Sequence, residues 1–108
     1  MRIAYRPAAI QDIQRLCGYI GETLGNPRAA DRLKAELLHS ISSLKAYPEQ
    51  GVPLASKYEW IDSAMRILIV QKQLVFYAVN GENIEIIRIL DGRTDYLAKL
   101  FPDSRSST

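Results

Sequence analysis

Cysteine is almost missing from this chain: Cys17 stands alone among 108 residues. That excludes an internal disulfide and any cysteine-based metal cluster. Histidine is equally scarce. His39 is the only one, and a zinc site draws on about three or four ligands, so neither a metal nor another cofactor is expected. The longest apolar runs, Ile67 to Val70 and Leu74 to Val79, fall far short of the ~20 residues a membrane span needs. The opening Met1-Arg2-Ile3-Ala4-Tyr5-Arg6-Pro7 lacks the apolar stretch of a secretory signal. The expected compartment is the cytoplasm, with no membrane partner. Charge of one sign is lacking too. Fourteen Lys and Arg against twelve Asp and Glu leave +2, which permits contact with nucleic acid without arguing for it. No P-loop, G-x-G-x-x-G, G-x-S-x-G or H-E-x-x-H is present.

What is there reads as an ordinary globular domain, 47% hydrophobic and 24% charged. The length suits one domain over residues 1–102, with Asp103 to Thr108, free of apolar residues, as a frayed tail. Ile3 to Arg6 predicts a first strand stopped by Pro7, because the residue before a proline avoids the helical region. Ile10, Ile13, Cys17, Ile20 and Leu24 then recur at helical spacing. Gly25 suits the C′ position, and Asn26-Pro27 reads as an N-cap with proline at N1. A second helix carries Ala30, Leu33, Leu37, Ile41 and Leu44 and ends before Pro48. So short a link makes the two helices an antiparallel hairpin.

From Glu49 to Ser63 no period is sustained, and a loop is expected. Arg66 to Val70, Leu74 to Val79 and Ile84 to Leu90 then read as three antiparallel strands in a meander. Asn80-Gly81 predicts a type I′ turn between the last two, with positive φ at both central residues. Ile67-Leu68-Ile69 and Ile86-Ile87 are apolar on both pleat faces, so the sheet needs cover on both sides. The helical hairpin supplies one. The C-terminal segment or a partner protein must supply part of the other. Thr94 is expected to cap a short helix carrying Leu97, Leu100 and Phe101. The predicted fold is therefore α+β: an N-terminal strand, a two-helix hairpin on a three-stranded meander (four strands with the first), and a short C-terminal helix.

Among candidate site residues, His39 falls off the apolar stripe of its helix and reads as solvent-facing. Arg66 and Arg88 could project from one face about 10 Å apart, two inter-strand spacings of ~4.8 Å, and clamp a phosphate. Alternatively, Arg88 pairs with Asp91, Asp95 or Glu85 and locks the sheet to the last helix. Arg93 and Asp95-Tyr96 form a compact polar group at the sheet rim. Tyr96 could act as an acid or base only if its pKa were well below ~10. Tyr77 reads as core. Trp60 either closes one end of the core or anchors a partner.

This order of elements resembles the RelE/ParE superfamily of bacterial toxin–antitoxin toxins. The residues carrying the resemblance run from Ile3 to Phe101. They include Pro7-Ala8-Ala9-Ile10-Gln11-Asp12-Ile13, Gly25-Asn26-Pro27-Arg28-Ala29-Ala30, the Leu44, Pro48 and Gly51 exit, and Val75 to Val79. Above all they include Ile84 through Asp91-Gly92-Arg93-Thr94-Asp95-Tyr96. The resemblance implies one of two activities. RelE-like members cut messenger RNA in the ribosomal A site; ParE-like members poison DNA gyrase. For RNA cleavage, Arg66, Arg88, Arg93 and Tyr96 would surround the scissile phosphate. Yet the helix exit and loop supply only Lys45 and Lys57 instead of a lysine cluster, and Asp91 stands where many members have histidine. An added carboxylate repels phosphate, and no histidine is left there to move a proton. The ParE-like branch is therefore favoured: a plasmid-stabilising, growth-inhibiting toxin that acts on gyrase by binding. A non-toxic relative that only binds antitoxin is a further alternative. The resemblance also implies a cognate antitoxin whose disordered C-terminal region folds onto an apolar groove. Leu16, Ile20, Leu37, Trp60, Ile67 and Ile69 are the expected contacts. A homodimer or a toxin–antitoxin hetero-oligomer is the expected assembly.

Overall fold

A computed structural model of the chain describes residues 1–61 and 63–102; the expected frayed tail, Asp103 to Thr108, lies outside the described residues. The chain is α+β. A strand β1 (Arg2–Tyr5) leads into helices α1 (Pro7–Gly18) and α2 (Pro27–Ser42). Strands β2 (Val52–Pro53), β3 (Arg66–Val70), β4 (Gln73–Asn80) and β5 (Asn83–Asp91) follow, and helix α3 (Tyr96–Leu100) closes the described order. The sheet order is β1-β5-β4-β3-β2. β1 runs parallel to β5, with Ile3 opposite Ile84, and every other pair is antiparallel. The sheet thus has five strands where four were expected. The fifth, β2, lies inside the segment read as loop. It is two residues long and ends in a proline, so period-based reading has nothing to register.

The helical junction follows its sequence signals. Gly25 has φ +66, a conformation glycine reaches without a Cβ clash. The Asn26 side chain accepts the Ala29 N–H at 3.1 Å, with Pro27 in the first turn. The α2 stripe is buried at all five positions. The α1 stripe is not. Between Gly18 and Leu24 the chain makes a π-helical turn, Tyr19–Thr23, whose extra residue shifts the phase of the helix face. Leu24 is accordingly exposed, as is Ile10, while Ala9, Asp12 and Ile13 are buried.

Two hydrophobic clusters lie on the two sides of the sheet. One joins Ile13 of α1 and Leu33, Leu37 and Ile41 of α2 to Val75, Tyr77, Ile84 and Ile86. The other gathers Leu54, Ile61, Ile67, Phe76, Ile87 and Leu90 beneath Tyr58, Tyr96, Leu97, Leu100 and Phe101. The second face, which the C-terminal segment or a partner protein was expected to cover in part, is covered over these residues by the chain itself. The segment after β2 and α3 cover it, and the opening that remains is at β3, where Ile69 is 61% exposed.

The turn between β4 and β5 differs from expectation. Asn80 pairs with Asn83, so Gly81-Glu82 are the central residues. Of these two, Gly81 has positive φ (+61) and Glu82 does not, which is not the type I′ pattern. Gln71-Lys72 joins β3 to β4, with Gln71 at φ +57. Thr94 does not cap α3. Its hydroxyl donates to the Asp91 carbonyl at 2.7 Å, and Asp95 occupies the N-cap position.

Candidate functional site

The cations expected to meet a phosphate are taken up by the protein itself. A β-bulge in β5 begins the separation. Phe76 pairs with Arg88 and Tyr77 with Ile86, leaving Ile87 unopposed. Arg66 is in register with Tyr77, one residue out of step with the Phe76–Arg88 rung. The Arg66–Arg88 clamp does not form.

Arg66 donates to the Gly51 carbonyl at 2.8 Å and the Glu49 carbonyl at 3.2 Å. Next to it, the buried Tyr77 hydroxyl donates to the Pro48 carbonyl and accepts the Gly51 N–H, both at 2.8 Å. Burial pushes the Tyr77 hydroxyl pKa up, against the lowering effects of the Gly51 hydrogen bond and the Arg66 charge. Arg66 and Tyr77 together hold the segment leading into β2, and that is a structural task.

Arg88 meets neither Asp91, Asp95 nor Glu85. Its Nε and Nη2 donate to Asp12 of α1 at 2.7 and 2.9 Å. That carboxylate also accepts the Ile89 N–H at 2.9 Å. The reason is topological. β1 covers the outer edge of β5 only as far as Ile86, and beyond it the edge faces α1, so Asp12 supplies an acceptor where a strand would have been. Donating these hydrogen bonds to Asp12 raises the Arg88 pKa. Asp12 is the residue whose role sequence reading missed. Its spacing from Ala9 and Leu16 places it on the buried face of α1, and that pattern was the available signal.

Arg93 pairs with Asp91, through Nε at 2.9 Å and Nη2 at 2.8 Å, and its own N–H reaches the same carboxylate at 2.8 Å. Hydrogen bonds from the Arg93 side chain and backbone hold Asp91 well below the usual carboxylate range. Arg93 itself remains largely in solvent. Tyr96 shares a 2.8 Å hydroxyl–hydroxyl bond with Tyr58. Burial, then that bond, push its pKa up to about 12, the wrong direction for proton transfer near neutrality.

Of the residues expected to contact an antitoxin, Leu37 and Ile67 are buried in the two clusters and hold the fold. Leu16 and Ile20 are half-buried against the first cluster. Trp60 is 59% exposed, its ring tilted against Tyr58 and edge-on to Phe101 with centroids 6.4 Å apart. Ile69 is the other exposed one. His39 is exposed, as its position off the stripe required. Among the described residues, no group of His, Cys, Asp and Glu side chains could hold a metal ion, and no helix is long and apolar enough to cross a membrane.

A helical hairpin laid on a mixed sheet, with a short helix on the far face, is a fold shared with a solved structure described as "Chromosomal ParDE TA system from P. aeruginosa". The TM-score is 0.69 at 19% identity, over 84% of this chain and 95% of that one. A comparison with curated proteins returns no match. A family model described as "ParE toxin of type II toxin-antitoxin system, parDE" matches residues 3–96. The chain belongs to the ParE toxin family.

Proposed function

We propose that this chain is a toxin that inhibits DNA gyrase by binding, without chemistry of its own, and that a cognate antitoxin neutralises it. The observation that carries this reading is the state of the four residues an RNA-cleaving site would use. Arg66 is spent on carbonyls, Arg88 on Asp12 and Arg93 on Asp91, while Tyr96 is held protonated by burial and Tyr58. Cleaving RNA needs a group to move protons and cations free to meet developing phosphate charge. This arrangement offers neither, and it argues for a protein whose surface is its working part.

The antitoxin half of the proposal rests on the β3 edge. β2 pairs only with Arg66 and Ile67. Among the described residues, Leu68 to Val70 have no strand partner on that side, and Ile69 is exposed there. An extended segment can add to such an edge, with backbone hydrogen bonds supplying affinity and an apolar side chain covering Ile69.

A supercoiling assay with purified gyrase tests the target. The expected outcome is dose-dependent loss of supercoiling with accumulation of gyrase-linked DNA breaks. Unaffected supercoiling, together with messenger-RNA cleavage on ribosomes, would replace this reading with the RelE-like one. Loss of both activities with antitoxin binding intact would leave a non-toxic relative.

A further inference from the structure

Between the start of β1 and the end of α2 lies an open cleft of about 460 Å³ with no acidic residue in its walls. Arg2 and Lys45 stand at it, with the hydroxyl-bearing Ser42 and Tyr5, and Ile3 and Leu38 form apolar wall. Among the described residues, four other arginines are paired with carboxylates: Arg6 with Glu85, Arg15 and Arg88 with Asp12, and Arg93 with Asp91. Among the described residues, no carboxylate forms an ion pair with Arg2 or Lys45. Glu82, beside Arg2, engages it through its backbone carbonyl, which accepts the Arg2 N–H at 2.9 Å. Glu85, further along β5, is occupied by Arg6 and Asn80. The carbonyls that would make a helix end repel an anion are partly taken up here. The Ser43 N–H bonds back to His39 and Ile41, and the Ala46 and Tyr47 N–H groups bond to Ser43. Burial also pushes the Tyr5 hydroxyl pKa up, keeping it a proton donor.

Two unneutralised cations and two hydroxyls against an apolar wall with a tyrosine ring suit an anion that carries a flat apolar body. The volume falls in the ordinary range of small-molecule sites, about 300–1,000 Å³. Inorganic phosphate would satisfy the cations and leave the apolar wall uncovered. We propose that this cleft binds a nucleoside monophosphate, its phosphate between Arg2 and Lys45 and its base against Tyr5, Ile3 and Leu38. The proposal does not depend on the toxin's target.

An NMR titration of the full chain with adenosine monophosphate tests it, with adenosine and inorganic phosphate as separate arms. The expected result is saturable shifts of the amides from Ile3 to Tyr5 and from Ser42 to Lys45, with each half-ligand binding at least about tenfold more weakly. Arg2→Gln and Lys45→Gln, both at exposed positions, should each weaken binding by about tenfold through loss of a charge-assisted contact. Leu38→Trp, which fills the cleft without touching the cations, should abolish it. Shifts that fail to saturate, that inorganic phosphate reproduces in full, or that persist in these variants would overturn the assignment.

Discussion

Asp12 and Arg88, 76 positions apart, are joined by two hydrogen bonds, and the same carboxylate takes the buried Ile89 N–H. One side chain thereby closes the free edge of β5 and ties α1 to the sheet. Asp12→Ala strands a mostly buried guanidinium and an edge amide, so unfolding should become easier by about 3 kcal/mol in a denaturant titration. Replacing both partners, Asp12→Leu with Arg88→Met, should cost less than Asp12→Ala alone, because no buried charge is then left unpaired. Equal or additive losses would show that the pair is not coupled.

Tyr77 and Gly51 form the second linchpin. Tyr77→Phe removes one donor and one acceptor, leaving the Gly51 N–H and Pro48 carbonyl short of a partner, with an expected loss of about 1–2 kcal/mol. Gly51→Ala should be worse. Its Cβ would lie 2.6 Å from the Tyr77 hydroxyl and 2.9 Å from the Ile67 carbonyl oxygen, and the second of these is backbone that cannot swing away. Combining it with Tyr77→Phe should therefore fail to restore stability. Thermal unfolding of the two single variants and the double variant decides this.

The Tyr58–Tyr96 pair predicts alkaline behaviour. Tyr96 has its pKa raised to about 12 in the folded chain, against about 10 when unfolded. Between those values the native state binds the extra proton. Stability carried by this group is therefore fully present below pH ~10 and is lost as the pH rises toward 12. Tyrosinate absorbance of the native protein should show its last step near the top of that window. Tyr96→Phe should remove that step and flatten the alkaline slope of stability. A slope unchanged by the substitution would assign it to other groups.

Ile69 should separate folding from partner binding. Exposed on an unpaired edge, it contributes little to the core, so Ile69→Lys should leave the melting temperature nearly unchanged. If an antitoxin strand adds there, the same substitution should weaken the complex by about 10- to 100-fold, the scale of an apolar anchor lost from an interface. Leu37→Ala, by contrast, should lower stability by about 2–5 kcal/mol, since Leu37 is fully buried.

The amino-acid order alone determined the helical hairpin, its Gly25-Asn26-Pro27 junction, the three long strands and the α+β class. Each of these is a local matter: a period of apolar residues, a cap, a positive φ. The resemblance led to the ParE family, and the family match bears that out. Tertiary structure decided what distance along the chain conceals. Strand β2 exists only because Arg66 and Ile67 offer it a partner, and no period can announce two residues. The π-turn after Gly18 moved Leu24 out of the core by inserting one residue in a helix whose apolar spacing looked regular. Above all, Arg88 was readable as a charge, but its partner was not. Asp12 became that partner because β1 stops short along β5 and α1 lies across the remaining edge, a relation between backbones that no local pattern encodes. The same holds for Arg66 and Arg93: their types suggested a phosphate site, and only their acceptors showed how little of that charge is free.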